Sequence, residues 1–333
     1  MDAVLLAGGY GTRLRPLTYT RPKPLLPVAG RPMVEWVLDR MPNEVQRVIV
    51  AVNWKAQALG NYLRERPAKK GQRFDFVVVR EEEPLGTAGA VKNCAGYIRS
   101  KDFLVLNADI VSAMDVGALI AAHRSHGGSA TISLKEVEPE QVVHYGVVEP
   151  AGAAAPDAAI PVRGFVEKPK TPDLAPSRLI NAGAAVLQRS VLDLVPAGRL
   201  VSMEKEIFPQ LLPRGFWGLP FQGHWVDVGD PDRLRAASQA LDPAFRAGPG
   251  SRIAADATFT DSMAGAGCFV APEAVVERCV LGDQVTVRGG VRLRDCVVGD
   301  GETVSQDASG ARVWTRPVPE GYPRQQVGNA LTA

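Results

Sequence analysis

Short, wholly apolar runs alternate with amphipathic stretches through the first 128 residues, and that alternation narrows the possible folds more than any other feature. Ala3-Val4-Leu5-Leu6-Ala7 carries no polar residue, as expected of a strand buried on both faces. After a glycine loop, Pro32 is predicted to open a helix with Met33, Val37 and Met41 at helical spacing. Residues 47–52, 74–79 and 103–106 read as three further strands. Helices are predicted at 55–66, ended by Pro67, at 87–98, and at 116–124, closed by Gly127-Gly128. This βαβα order implies a mostly parallel sheet with helices on both faces.

The pattern then changes twice. Residues 131–137, 145–149, 162–166 and 180–187 read as strands, with the low-complexity stretch 151–161 as a surface hairpin excursion. A short helix is expected at 204–212 with Ser202 as its cap, then a strand at 224–228 and a helix at 231–241. Residues 242–250 are rich in Pro and Gly and read as a linker. Beyond them helical periodicity disappears. Glu277-Arg278-Cys279-Val280-Leu281-Gly282-Asp283 resembles Arg294-Asp295-Cys296-Val297-Val298-Gly299-Asp300, 17 residues later. Leu281, Val287 and Leu293 recur every six residues, as Val270 and Val276 do earlier. A six-residue rhythm inside a superperiod near 18 marks a parallel β-helix with three short sides per coil. A few ordinary strands are the competing reading; the agreement of both periods favours the helix. About three coils fit between residues 253 and 314, and Cys279 and Cys296, one coil apart, are expected to stack inside. The open coil ends and flat sides point to self-association, hence a homo-oligomer. The expected fold is thus α/β, a doubly wound mixed sheet over 1–241, a linker at 242–250, a short left-handed parallel β-helix at 251–314 and a tail at 315–333.

Composition excludes more than it assigns. With 38 Lys+Arg against 36 Asp+Glu, the net charge of +2 argues against a nucleic-acid binder, which would show a basic stripe. No apolar run reaches the ~18 residues of a membrane helix, and the opening residues lack the basic start of a signal peptide. Four cysteines in 333 residues, without a small-scaffold pattern, fit a reducing compartment and a cytoplasmic location.

Two places carry chemistry. Gly8-Gly9-Tyr10-Gly11-Thr12-Arg13 follows the first strand, where glycines let a backbone approach a ligand and aim N–H groups at phosphate oxygens. No Gly-Lys-Ser/Thr ends it, and Leu14 stands where a dinucleotide fingerprint needs its third glycine. Arg13, Arg15 and Lys23 beside it suit a polyphosphate, against the alternative of a solvated basic loop. Asn107-Ala108-Asp109 ends the fourth strand, the edge where open α/β sheets bind ligands, so Asp109 is a candidate Mg²⁺ ligand. Asp227, in Trp225-Val226-Asp227-Val228-Gly229, is a candidate partner; for either Asp the alternative is a helix cap.

Those residues carry a resemblance. Gly8 to Leu17 followed by Arg21-Pro22-Lys23-Pro24 resembles the signature of sugar-1-phosphate nucleotidylyltransferases. Further matches follow in the family's order: Glu83-Pro84-Leu85-Gly86-Thr87-Ala88-Gly89, Asn107-Ala108-Asp109, Tyr145-Gly146-Val147, Phe165-Val166-Glu167-Lys168-Pro169, Ile180-Asn181-Ala182-Gly183 and Trp225 to Gly229. They span essentially 1–241, and a β-helix is a common appendage. The wording of the first loop, of Phe165 to Pro169 and of the Glu-Glu-Glu-Pro run is most similar to the mannose-1-phosphate guanylyltransferases.

The resemblance implies that NTP, GTP in that subgroup, and a sugar 1-phosphate give NDP-sugar and pyrophosphate by in-line attack on the α-phosphorus. No covalent intermediate is implied, so catalysis is positioning and charge neutralisation. Carried over by position, Arg13 holds the β/γ-phosphates, Lys23 the α-phosphate and Lys168 the sugar phosphate. Asp109 and Asp227 hold Mg²⁺. Gly146, Glu167 and Asn181 take the sugar. Leu6, Ala7, Gly8, Gly9, Gly11 and Thr12, with Gly86, Thr87 and Ala88, surround the nucleotide. Adjacent strand residues face opposite ways, which disfavours a plain Glu167–Lys168 surface pair. Guanine offers two N–H donors that a carboxylate accepts, and Glu82 or Glu83 would serve, unless that run is merely a solvated strand end. The rival readings are a thymidylyl- or uridylyltransferase for glucose 1-phosphate, and a non-catalytic regulatory or scaffold relative. The few coils and scarcity of histidine argue against an added acyltransferase.

Overall fold

The computed structural model describes residues 1–66, 74–152 and 157–323. Pro67, the centre of the 151–161 excursion and the end of the tail lie outside the described residues. The chain forms two compact units, one of Met1–Gly8 with Val37–Trp225, the other of Gly9–Trp36 with the chain from Val226 onward.

The first unit is built on nine strands: β1 (Asp2–Leu6), β2 (Arg47–Val52), β3 (Asp75–Arg80), β4 (Asp102–Asn107), β5 (Ala130–Glu136), β6 (Gly146–Pro150), β7 (Ile160–Glu167), β8 (Leu179–Gln188) and β9 (Phe216–Pro220). They lie in the order β3-β2-β1-β4-β8-β5-β9-β7-β6. The early βαβ segments give parallel pairs, β1 with β2 and β4, and β2 with β3. From β8 the sheet is mixed: β8 is antiparallel to both β4 and β5, and β7 to both β9 and β6. Ala3, Val4 and Leu5 are fully buried, which is why that strand has no polar alternation.

Helices α1 (Ala56–Glu65), α2 (Gly86–Asn93) and α3 (Val116–His126) fall where periodicity places them. α2 stops earlier than predicted: its last turn tightens to an i→i+3 bond from Cys94 N–H to Val91 C=O (3.1 Å), and a 3₁₀ turn follows at Ala95–Tyr97. α3 ends on Gly127 at φ 66°, whose N–H returns to His123. The predicted 204–212 helix starts as a π turn, Met203–Ile207, capped by Ser202 as expected, and closes as a 3₁₀ turn at Leu212–Arg214. Strand β9 was not foreseen in the sequence, since Phe-Trp-Gly-Leu-Pro lacks a clear alternation. Pro32 sits in a two-residue strand, Arg31–Pro32, paired with Pro27–Val28, and the helix starts at Met33.

In the second unit, helix α4 (Pro231–Leu241) is capped by Asp230, whose side chain accepts from Arg233 N–H at 2.9 Å. Three four-stranded parallel sheets follow, the expected sides of a β-helix, with four circuits rather than three. The register steps by 17 residues, stacking Val270, Val287 and Val304 on one side and Val276 and Leu293 on another, until the last circuit shortens on two sides, where Leu293 pairs with Ala308 and Val297 with Arg312. Cys279 and Cys296 are buried in the coil interior as expected, with Cys296 N–H donating to Cys279 Sγ at 3.4 Å.

The first strand is anchored by charge as well as by apolar burial. Asp2 accepts from Arg99 N–H (2.6 Å) and Ser100 N–H (2.8 Å). Burial pushes its carboxyl up, but those bonds and Arg47 outweigh burial and hold it below the ordinary range. Replacing Asp2 with Ala strands two donors and should destabilise the fold by about 1–3 kcal/mol at neutral pH, measured by urea denaturation. A depressed carboxyl stabilises above its unfolded value of about 4 and loses this as pH falls through the folded value. The gap between parent and variant should therefore shrink in acid.

Candidate functional site

Each unit gathers part of the predicted residues. In the first, the three-glutamate run leaves the end of β3, and its members part company. Glu82 and Glu83 are exposed, Glu82 beside Arg80 at 3.7 Å. Glu81 is 6% exposed and turns back toward the loop after β1, where a Cβ placed on Gly8 would lie 3.1 Å from its Oε1. Burial pushes the Glu81 carboxyl up, and a 3.4 Å bond from Leu85 N–H opposes this weakly.

The turn into α2 is clamped. Gly86 has φ 70°, and a Cβ there would lie 2.6 Å from Val201 O, which accepts from the N–H groups of Ala88 (3.0 Å) and Gly89 (3.3 Å). Thr87 Oγ1 donates to Glu204 (2.7 Å) and accepts from Met203 N–H (2.8 Å). Thr87 and Glu204 line a shallow cleft together with Leu6, Asn107, Asn181 and Gly183. Asn181 and Gly183 reach it through a bulge in β8 between Asn181 and Ala185. Gly183 stands at φ 82° against Ile110 and Asn107, and its N–H donates to Asn181 Oδ1 at 3.2 Å. Asp109 occupies the turn between β4 and the short strand Ile110–Ser112.

Gly146, Glu167 and Lys168 form a second group. Gly146 pairs with Glu167 across β6 and β7, and a Cβ on it would lie 2.7 Å from Glu167 Oε2. Glu167 and Lys168 do pair, at 3.7 Å, contrary to strand alternation. Lys168 lies past the strand end at φ 50°, with its N–H on Tyr145 O, so the period of two no longer applies. The pair is no plain surface bridge, because the Glu167 side chain is 14% exposed. Burial pushes the Glu167 carboxyl up, as does Glu204, while Lys168 works against both.

In the second unit, Gly11 takes φ 64° where a Cβ would meet Thr18 at 2.8 Å, and Leu14 N–H and Thr18 Oγ1 both bond to its carbonyl. Thr12 opens a 3₁₀ turn that presents an exposed Arg13. Lys23 is 9% exposed at the start of another 3₁₀ turn. Two motifs distant in sequence meet here: Arg13 lies over Gly229, where a Cβ would stand 2.5 Å from its Nη2. Gly229 N–H bonds to Asp227 O (2.8 Å), and the Asp227 carboxylate lies 3.4 Å from Arg233. The helix cap is Asp230, so Asp227 is not spent on capping.

Glu81, Glu204 and Arg233 were missed in the sequence. Only Glu81 had a signal, its place directly after a strand. Among the described residues no group of three or more His, Cys, Asp or Glu is placed to hold a metal ion.

The family model for nucleotidyl transferase matches residues 2–243. A mannose-1-phosphate guanylyltransferase of Mycobacterium tuberculosis is 35% identical over 266 residues, 77% of this chain and 70% of that protein. A mannose-1-phosphate guanyltransferase of Eremothecium gossypii is 38% identical over 246 residues, 72% of this chain and 64% of that protein. The matches thus span about two thirds of these relatives. A solved UDP-glucose pyrophosphorylase of Acinetobacter baumannii shares the fold, with TM-score 0.64 at 23% identity over 71% of this chain and 91% of that one.

Gly183→Ala should lower stability by about 1–3 kcal/mol or more, through its positive φ and the crowding of Ile110 and Asn107. Gly96→Ala, with nothing within 4 Å of the added carbon, should stay within about 0.5 kcal/mol of the parent. Thermal denaturation of both variants checks the contrast.

Proposed function

From the membership of this chain in the nucleotidyl transferase family, we propose that it joins an NTP to a sugar 1-phosphate, giving GDP-mannose from GTP and mannose 1-phosphate, with release of pyrophosphate. The observation that carries the reading is Arg13 lying over the turn that follows Asp227. A signature cation and a carboxylate more than two hundred residues apart in sequence share one corner of the second unit. The names of the relatives supply the base and the sugar.

The chemistry asks for placement and charge. The sugar phosphate attacks the α-phosphorus in line, and no protein nucleophile takes part. Arg13 binds the β/γ-phosphates and stabilises the departing pyrophosphate. Lys23 neutralises the α-phosphate, and Lys168 binds the incoming sugar phosphate. Leu6, Ala7, Gly8, Gly9, Gly11 and Thr12 with Gly86, Thr87 and Ala88 enclose the nucleotide; Gly146, Glu167 and Asn181 bind the sugar. A carboxylate completed by phosphate oxygens and water is a donor that Mg²⁺ accepts, and the carry-over by position names Asp109 and Asp227 as its ligands. Bound there, it would neutralise phosphate charge.

Functionally the chain divides into a catalytic part, 1–241, a linker, 242–250, a coil wound left-handed, 251–314, and a tail, 315–333. The coil makes a homo-oligomer, and a monomer by light scattering would remove that reading. Buried thiols at all four cysteines fit a cytoplasmic enzyme. Among the described residues no helix is long and apolar enough to cross a membrane.

Base selection falls to the acidic run. Glu83 is exposed, whereas Glu81 is buried beside Gly8 and better placed to accept from both guanine donors. Pyrophosphate release across GTP, ATP, dTTP and UTP with mannose and glucose 1-phosphates should favour GTP with mannose 1-phosphate. Preference for dTTP or UTP with glucose 1-phosphate would replace the specificity, and no turnover with retained nucleotide-sugar binding would indicate a non-catalytic relative. Glu81→Gln should lower kcat/KM for GTP by ~10- to 100-fold relative to the other nucleotides. An effect at Glu83→Gln alone would return the role to Glu83. Because burial raises the Glu81 carboxyl, GTP selectivity should weaken on acidification sooner than an ordinary surface glutamate would allow.

A further inference from the structure

The signature loop does not stand alone in its unit. Arg21 reaches Asp283 and Asp300, each at 2.7 Å, and these aspartates occupy equivalent corners of successive coils. Each carboxylate does two things. Asp283 Oδ1 accepts from Ala266 N–H (2.9 Å) and Asp300 Oδ1 from Asp283 N–H (2.7 Å), which ties coil to coil. Their Oδ2 atoms face Arg21, and Asp300 Oδ2 also accepts from Thr20 Oγ1 at 2.5 Å. The tail reaches the same segment. Tyr322 hydroxyl bonds to Thr18 Oγ1 (2.7 Å) and donates to Tyr10 O (3.1 Å). Arg15 lies 5.0 Å over the Tyr322 ring and donates to Pro323 O. Tyr19 packs edge-on between Trp314 and Tyr322, and Arg312 donates to Arg15 O.

We propose that the coil and its tail position the phosphate loop: Asp283, Asp300 and Tyr322 hold residues 10–23 so that Arg13 and Lys23 meet the nucleotide. This deepens the reading of the loop as a triphosphate site and rests on it. None of the three is a catalytic residue. They act through Arg21, Thr18 and the backbone of Tyr10. A site that works by placing cations loses rate steeply when those cations drift, since a misplacement near 1 Å is enough for about 100-fold.

The test uses the full chain carrying Asp283→Asn with Asp300→Asn, assayed with GTP and mannose 1-phosphate. The expected result is kcat down roughly 10- to 100-fold and KM for GTP raised, with KM for mannose 1-phosphate within about threefold of the parent. A protein that had merely lost active fraction would show lower kcat with both KM values unchanged. Loop order is read separately by trypsin. Within residues 9–32 every Lys and Arg except Arg13 precedes proline, so Arg13–Leu14 is the one bond there open to the protease. Cleavage at that bond should be faster in the double variant than in the parent. If the double variant does not fold, Tyr322→Phe removes only the hydroxyl and should shift the same quantities in the same direction by a few-fold. Unchanged GTP kinetics and unchanged cleavage would overturn the proposal, as would lost activity that follows lost assembly with cleavage unchanged. A parent protein with no turnover would instead sink the proposed function, and the cleavage comparison would still judge the loop.

Discussion

One guanidinium joins the chemistry-bearing segment of the second unit to its scaffold. Arg21 is 24% exposed, and the Asp283 and Asp300 side chains are 31% and 16% exposed. This is a half-buried charge shared by two carboxylates rather than a solvated surface pair. Charge-assisted bonds in such settings are shorter and stronger than neutral ones, and leaving one partner unpaired is more harmful than never having made the pair. Each aspartate also completes a backbone bond of the coil beneath it, so the same carboxylates hold successive coils together and fix the loop.

That dependence explains why the compact units cut across the sequence order. Residues 9–36 fold with the C-terminal part of the chain, although β1, directly before them, belongs to the sheet of the first unit. The chain leaves the sheet at a glycine pair and turns through Gly11 at φ 64°. It then runs a proline-studded course in which Arg21 and Lys23 each precede proline. Proline fixes φ and limits the backbone entropy lost when such a segment is ordered. The segment needs long-range anchors because its own secondary structure before the helix at Met33 is limited to one-turn helices and a two-residue strand pair.

What the sequence made legible was whatever follows from local periodicity. The parallel strands of the first hundred residues, the position of α4 and the 17-residue repeat of the coil all leave a regular apolar trace. Features set by partners far along the chain left none. Strand β9 joins the sheet between β5 and β7 without alternation of its own. Three consecutive glutamates look alike in sequence, yet only Glu81 is buried. Lys168 turns to Glu167 because its backbone leaves the strand region at φ 50°, which no pattern of apolar residues encodes. Asp283 and Asp300 were visible as repeat members, but their shared partner lies 262 and 279 residues away.

The site residues were legible as motifs rather than as geometry. Near-neutral net charge conceals a few cations concentrated on one loop, which is all that the proposed polyphosphate site requires. The most direct measurement of the account is amide hydrogen exchange of the full chain with and without GTP and Mg²⁺. Amides of residues 9–24 should already be slow in the free protein, because the coil holds them, and should slow further with nucleotide. Exchange there at the rate of an unstructured chain, with nucleotide protecting other segments instead, would contradict it.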